Sequence, residues 1–145
     1  MTKVDPITLS VIRGILETTQ REMTLALEKT ARSSVLNLAR DYSTTLFNST
    51  PEMILQGQDI PIHLGSFMPA MKAVADFFIE DIHEGDLILH NDPAYQGSHI
   101  VDMCMYRPVF YKGRHVFWTA CKGHLTDAGG PVPASYNPDA TEIFA

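Results

Sequence analysis

Mostly apolar positions recur every three or four residues through Ile12, Leu16, Thr19, Met23, Leu27 and Thr30, with Arg13, Glu17, Arg21, Glu28 and Lys29 mostly off that stripe. One glycine and no proline interrupt the run up to about Arg32, which predicts a long amphipathic helix. Asp5-Pro6 supplies its start, Asp as N-cap and Pro with its φ already suited to the first turn. Ser33-Ser34 ends it. The stretch Asp41 to Phe47 is rich in β-branched and aromatic residues and reads as a strand. Pro51 to Pro61 reads as irregular. Ser66 is the expected cap of a second helix, with Phe67, Met71, Val74, Ala75 and Phe78 on one face.

Farther along, Glu84-Gly85-Asp86 is a turn signal and Leu87 to His90 a short buried strand. After a loop from Asn91 to Ser98, two apolar runs flank Lys112-Gly113 and predict a β-hairpin, Val101–Tyr111 with Arg114–Lys122. Gly129 to Pro138 holds two Gly and three Pro and reads as loop. Helices and antiparallel strands are segregated rather than alternating, which makes the expected class α+β. A two-residue turn at Lys112-Gly113 pairs positions summing to 225, so Cys104 is expected opposite Cys121. The same count sets His99 and His124 on one face and Asp102 on the other, unless a bulge moves the ladder by one.

The chain has 145 residues, the size of one domain, and is 45% hydrophobic and 19% charged, which excludes disorder. No run approaches the roughly 18 apolar residues of a membrane span. Eleven Lys and Arg against 17 Asp and Glu leave a net charge of −6 without a basic cluster, a poor match for nucleic acid or anionic lipid. The start lacks a signal-type apolar stretch, and two cysteines make no disulfide framework, so a reducing cytoplasm is expected.

Two His-x-x-Asp pairs carry the most chemistry: His99 with Asp102, and His124 with Asp127. They flank the ends of one hairpin, so four metal-competent side chains converge without distant contacts. Imidazole and carboxylate oxygen suit Zn²⁺ or Mn²⁺. The plainer alternative is that each pair is a surface hydrogen bond. His63 is a packed residue or an orienting group near a helix start, and Asp41 beside Arg40 reads as a local ion pair. Cys104 and Cys121 read as reduced core residues. There is no phosphate-cradling glycine motif and no serine nucleophile elbow.

Asp5 to Leu9, Gln58 to Ser66, Asn91-Asp92-Pro93 with Gly97-Ser98-His99, and His124 to Gly130 together resemble the hydantoinase B/oxoprolinase family over essentially the whole chain. Within it, the likeness is greatest to the beta subunits of ATP-dependent lactam hydrolases, with the metal subunits of acetone- and acetophenone-type carboxylases as near relatives. The resemblance implies a metal site of Asp41, His99, Asp102 and His124, holding Zn²⁺ as first choice and Mn²⁺ as alternative. It moves Asp127 to a supporting place, orienting His124 or taking a proton, and leaves His63 as a second catalytic candidate. It implies a hydantoinase A-type partner that binds ATP and Mg²⁺ and phosphorylates a small cyclic amide. A water activated by the metal then opens the ring. Alternatives are the metal subunit of a ketone carboxylase and a non-catalytic interface module. Family members are several times longer, so residues 1–145 are expected to be the N-terminal part of such a subunit, incomplete at the C-terminus and inactive alone.

Overall fold

The computed structural model describes residues 4–129, 131–133 and 137–142. Helix α1 runs Pro6–Thr30, with the Asp5 carboxylate accepting from the Thr8 amide at 3.0 Å and Pro6 in the first turn. Its first half is exposed along Ile7, Val11, Ile12 and Ile15, and its second half lies on the sheet. A one-turn helix α2 (Ser34–Asn37) follows, capped by Ser33. No helix among the described residues is long and apolar enough to cross a membrane.

Strands β1 (Tyr42–Asn48), β2 (Met53–Gln56), β3 (Ile88–His90), β4 (Asp102–Tyr111) and β5 (Arg114–His124) form one antiparallel sheet in the order β2-β1-β5-β4-β3. With the helices at either face, the architecture is α+β. Strand β1 is covered on both sides. Ser43 and Phe47 face helix α3 (Pro61–Phe77), meeting His63 and Phe67, whereas Tyr42 and Thr44 face α1, meeting Glu28 and Gln20. That explains why its first six residues are buried without alternation. The core lies under α3, where Phe67, Met71 and Val74 pack on Phe47, Tyr106, Trp118 and Ala120. Phe67 sits edge-on to both Phe47 and Tyr106, at 6.3 Å each.

Three expectations change. The segment between Pro51 and Pro61 contains β2, which pairs with β1 through a register shift at Leu46/Phe47. Helix α3 begins at Pro61 rather than at Ser66, because Pro61 already has the first-turn φ. Ser66 sits inside it and donates to the His63 carbonyl at 2.9 Å. In the hairpin the Lys112-Gly113 turn holds, both residues having positive φ (50° and 74°) as its twist requires. A bulge between Val109 and Phe110 then raises the register sum from 225 to 226, so Cys104 lies opposite Lys122 and Met105 opposite Cys121. The two cysteines therefore face opposite sides of the sheet. Of the loop expected from Gly129 to Pro138, positions 130 and 134–136 lie outside the described residues, and the others form no strand or α-helix.

Candidate metal centre

The bulge that separates the cysteines brings Asp102 directly opposite His124, on the face covered by α3. The expectation that Asp102 turns away from the histidines is thus corrected by one residue of register. The His124 Nδ1–H donates to Asp102 Oδ1 at 2.8 Å, and Asp102 is 1% exposed. Burial alone would raise the Asp102 pKa. Hydrogen bonds from Ser98 and His124 and the nearby His63 outweigh it, so the carboxyl titrates below its ordinary range.

The loop from Asn91 to Val101 delivers Ser98 and His99. Asn91 Nδ2 donates to the Ile100 carbonyl at 2.7 Å, Asp92 caps the short 3₁₀ turn Pro93–Tyr95, and the Gly97 amide returns to the Asp92 carbonyl at 2.9 Å. A Cβ on Gly97 would stand 2.7 Å from that carbonyl oxygen, so only glycine passes there without displacement. Ser98 Oγ then donates to Asp102 Oδ2 at 2.6 Å, with the His99 amide at 3.4 Å from the same oxygen. The His99 and His124 rings meet edge to face, 6.2 Å between centroids.

Asp41 enters from the residue before β1, its carbonyl accepting the His124 amide at 3.0 Å. Its carboxylate lies 3.4 Å from His63 Nε2, which is also 3.9 Å from Asp102. His63 projects from the first turn of α3 and is buried, with Nδ1 3.2 Å from Ser43 Oγ. Burial lowers its pKa, and the charge on Lys122 adds to that effect against the opposing carboxylates of Asp102 and Asp41.

Asp41, His63, His99, Asp102 and His124 therefore converge at one end of the sheet. Asp127 does not join them: it is exposed, and its carboxylate accepts from the Gly129 amide at 2.8 Å. The group at His124 Nδ1 is Asp102 instead. Lys122 was not singled out by sequence reasoning, yet it is fully buried beside the cluster. Its signal was parity, since it continues the inward series Trp118, Ala120, Lys122.

Two imidazoles and two carboxylates from three segments are donors that suit a divalent ion such as Zn²⁺ or Mn²⁺. The set fits in donor type, and its members lie at one end of the sheet. Its side chains close on one another by hydrogen bonds, and among the described residues no three His, Cys, Asp or Glu side chains surround a single point.

With this arrangement in hand, comparison assigns the class: residues 5–145 match the hydantoinase B/oxoprolinase family, and the chain belongs to it. The chain is 75% identical, over its full length, to the caprolactamase subunit beta of Pseudomonas jessenii, of which it spans 25%. It superposes on the crystal structure of the ATP-dependent caprolactamase from that organism with a TM-score of 0.91, covering 99% of this chain and 25% of the other. It is 33% identical over 98% of its length to a 5-oxoprolinase of Dictyostelium discoideum, spanning 11% of that protein. A nucleotide-free acetone carboxylase structure shares the fold, with a TM-score of 0.76 at 22% identity, covering 85% of this chain and 16% of that one.

Proposed function

We propose that this chain carries the metal-binding part of an ATP-dependent hydrolase of small cyclic amides, of lactam type. The observation that carries the reading is the 75% identity to a caprolactamase subunit beta over all 145 residues. The convergence of Asp41, His99, Asp102 and His124 supports it. In this reading those four residues hold a divalent ion, Zn²⁺ before Mn²⁺. When bound, that ion supplies Lewis acidity and lowers the pKa of a water towards about 7.

The chain's own residues prepare the site. Asp102 is kept ionised by its hydrogen bonds, and its Oδ1 fixes His124 with Nδ1 protonated, leaving Nε2 for other work. His63, whose pKa burial lowers, presents Nε2 towards Asp41 and Asp102 and in this reading helps to orient the two carboxylates. Asp127, turned into its own loop, receives no role.

A secondary amide is a poor electrophile, so ATP is spent on a hydantoinase A-type partner that phosphorylates the amide oxygen. Addition of water opens the ring and gives an amino acid, ADP and phosphate. The test is turnover by the full-length protein with its partner on a lactam series, with and without bicarbonate. ATP-dependent ring opening without bicarbonate is expected. A strict bicarbonate requirement would assign a ketone carboxylase instead.

A further inference from the structure

Lys122 lies on β5 with its side chain fully buried, and among the described residues its ammonium meets two serines and an aromatic ring instead of a carboxylate. It donates to Ser66 Oγ and, at 2.9 Å, to Ser98 Oγ, and it stands 5.2 Å from the centre of the Phe67 ring. A buried ammonium is costly to desolvate, and an apolar side chain of similar length would fill the space without that cost. Its contribution is therefore to be sought in what its hydrogen bonds impose.

A hydroxyl that accepts from an ammonium cannot turn its own proton back towards it. Ser98, accepting from Lys122, is left to donate to Asp102 Oδ2 at 2.6 Å. Ser66 obeys the same logic and donates to the His63 carbonyl at 2.9 Å. One cation thus sets the direction of two hydroxyls, one aimed at the buried carboxylate and one at the helical turn that carries His63.

We propose that Lys122 is a positioning residue: acting through the Ser98 hydroxyl, it occupies one oxygen of Asp102 and so aims the other at His124. The effect on metal uptake rests on the functional reading above, whereas the effect on His124 does not.

The experiment uses the full-length protein with its partner, comparing the parent with Ser98→Ala, Ser98→Thr and Lys122→Met. One readout is nitrogen-15 NMR of the His124 ring in metal-free protein. The other is the affinity for added Co²⁺, with its visible absorption bands. In the parent, His124 is expected as a single species protonated on Nδ1. Ser98→Ala and Lys122→Met should mix the tautomers, weaken Co²⁺ binding roughly 10- to 100-fold and shift its bands. Ser98→Thr, which keeps the hydroxyl, should restore all three properties.

Unchanged tautomer and Co²⁺ affinity in both Ser98→Ala and Lys122→Met would overturn the proposal. So would an equal loss in Ser98→Thr and Ser98→Ala, which would mark packing rather than the hydroxyl. If Lys122→Met does not fold, the two Ser98 variants decide. A parent that takes up no Co²⁺ overturns the metal reading, and the His124 tautomer then decides the relay alone.

Discussion

Asp102 Oδ1 accepts from His124 Nδ1 at 2.8 Å, across a strand pair that a bulge eight residues earlier in β5 has shifted by one position. Without that shift Asp102 would face Gly123, and the carboxylate and imidazole would lie on opposite sides of the sheet. The extra residue, Val116 in β5 opposite the Val109/Phe110 step, is thus what brings the candidate centre together.

The same register governs the thiols. Cys104 and Cys121 are free and face opposite sides of the sheet. Oxidant treatment of the folded protein is expected to leave both reduced, because their side chains point apart. Mass spectrometry after alkylation in denaturant checks this, and loss of two hydrogens between them would count against the register.

Gly97 is expected to tolerate no side chain. In Gly97→Ala the new methyl meets the Asp92 carbonyl at 2.7 Å, so the loop carrying Ser98 and His99 must move. The variant should lose stability and metal affinity together, by thermal melting and metal titration. Parent-like values of both would show that the loop is not under this constraint.

Phe67 serves the core and the site at once, edge-on to Phe47 and Tyr106 and beneath the Lys122 ammonium. Phe67→Ala should cost about 3–5 kcal/mol by chemical denaturation, as a large aromatic is removed from a fully buried position. Phe67→Leu should cost less. Equal costs would mean that volume at this position matters little.

His90 supplies acid sensitivity. It lines an apolar cleft with Val74, Phe77, Ile88 and Tyr95, and neither ring nitrogen has a partner among the described residues. Burial lowers its pKa. The unfolded chain therefore takes up the proton first, near the ordinary value of about 6.5. Its contribution to stability is complete above that value and is lost as the pH falls from there towards the lower folded pKa. His63 adds in the same direction. Melting temperatures between pH 7.5 and 5 should fall less steeply for His90→Leu than for the parent, and identical slopes would refute the assignment.

Elements with a periodic signal were readable in the chain. Helix α1, strand β1, the Lys112-Gly113 turn and the apolar face of α3 follow from spacing and turn chemistry. Strand β2 was not, because four residues between prolines, only half-buried, carry almost no period. The start of α3 was misplaced because Ser66 looks like a cap, although it spends its hydroxyl inside the helix.

The site was legible in part. His99, His124 and Asp102 stood out by spacing, and Asp41 by family resemblance, but the side of the sheet on which Asp102 lies depends on a bulge with no marker residue. Lys122 and Ser98 were invisible as site residues. Parity marks Lys122 as an inward position, but the role of both comes from hydrogen bonds that a linear pattern does not carry.

The most direct test of the metal centre is elemental analysis of the full-length protein isolated with its partner, parent beside His124→Ala. The parent is expected to hold about one equivalent of zinc or manganese per subunit, with the variant folded, metal-free and inactive. An active parent without metal, or a His124→Ala protein that is metal-free yet fully active, would contradict it.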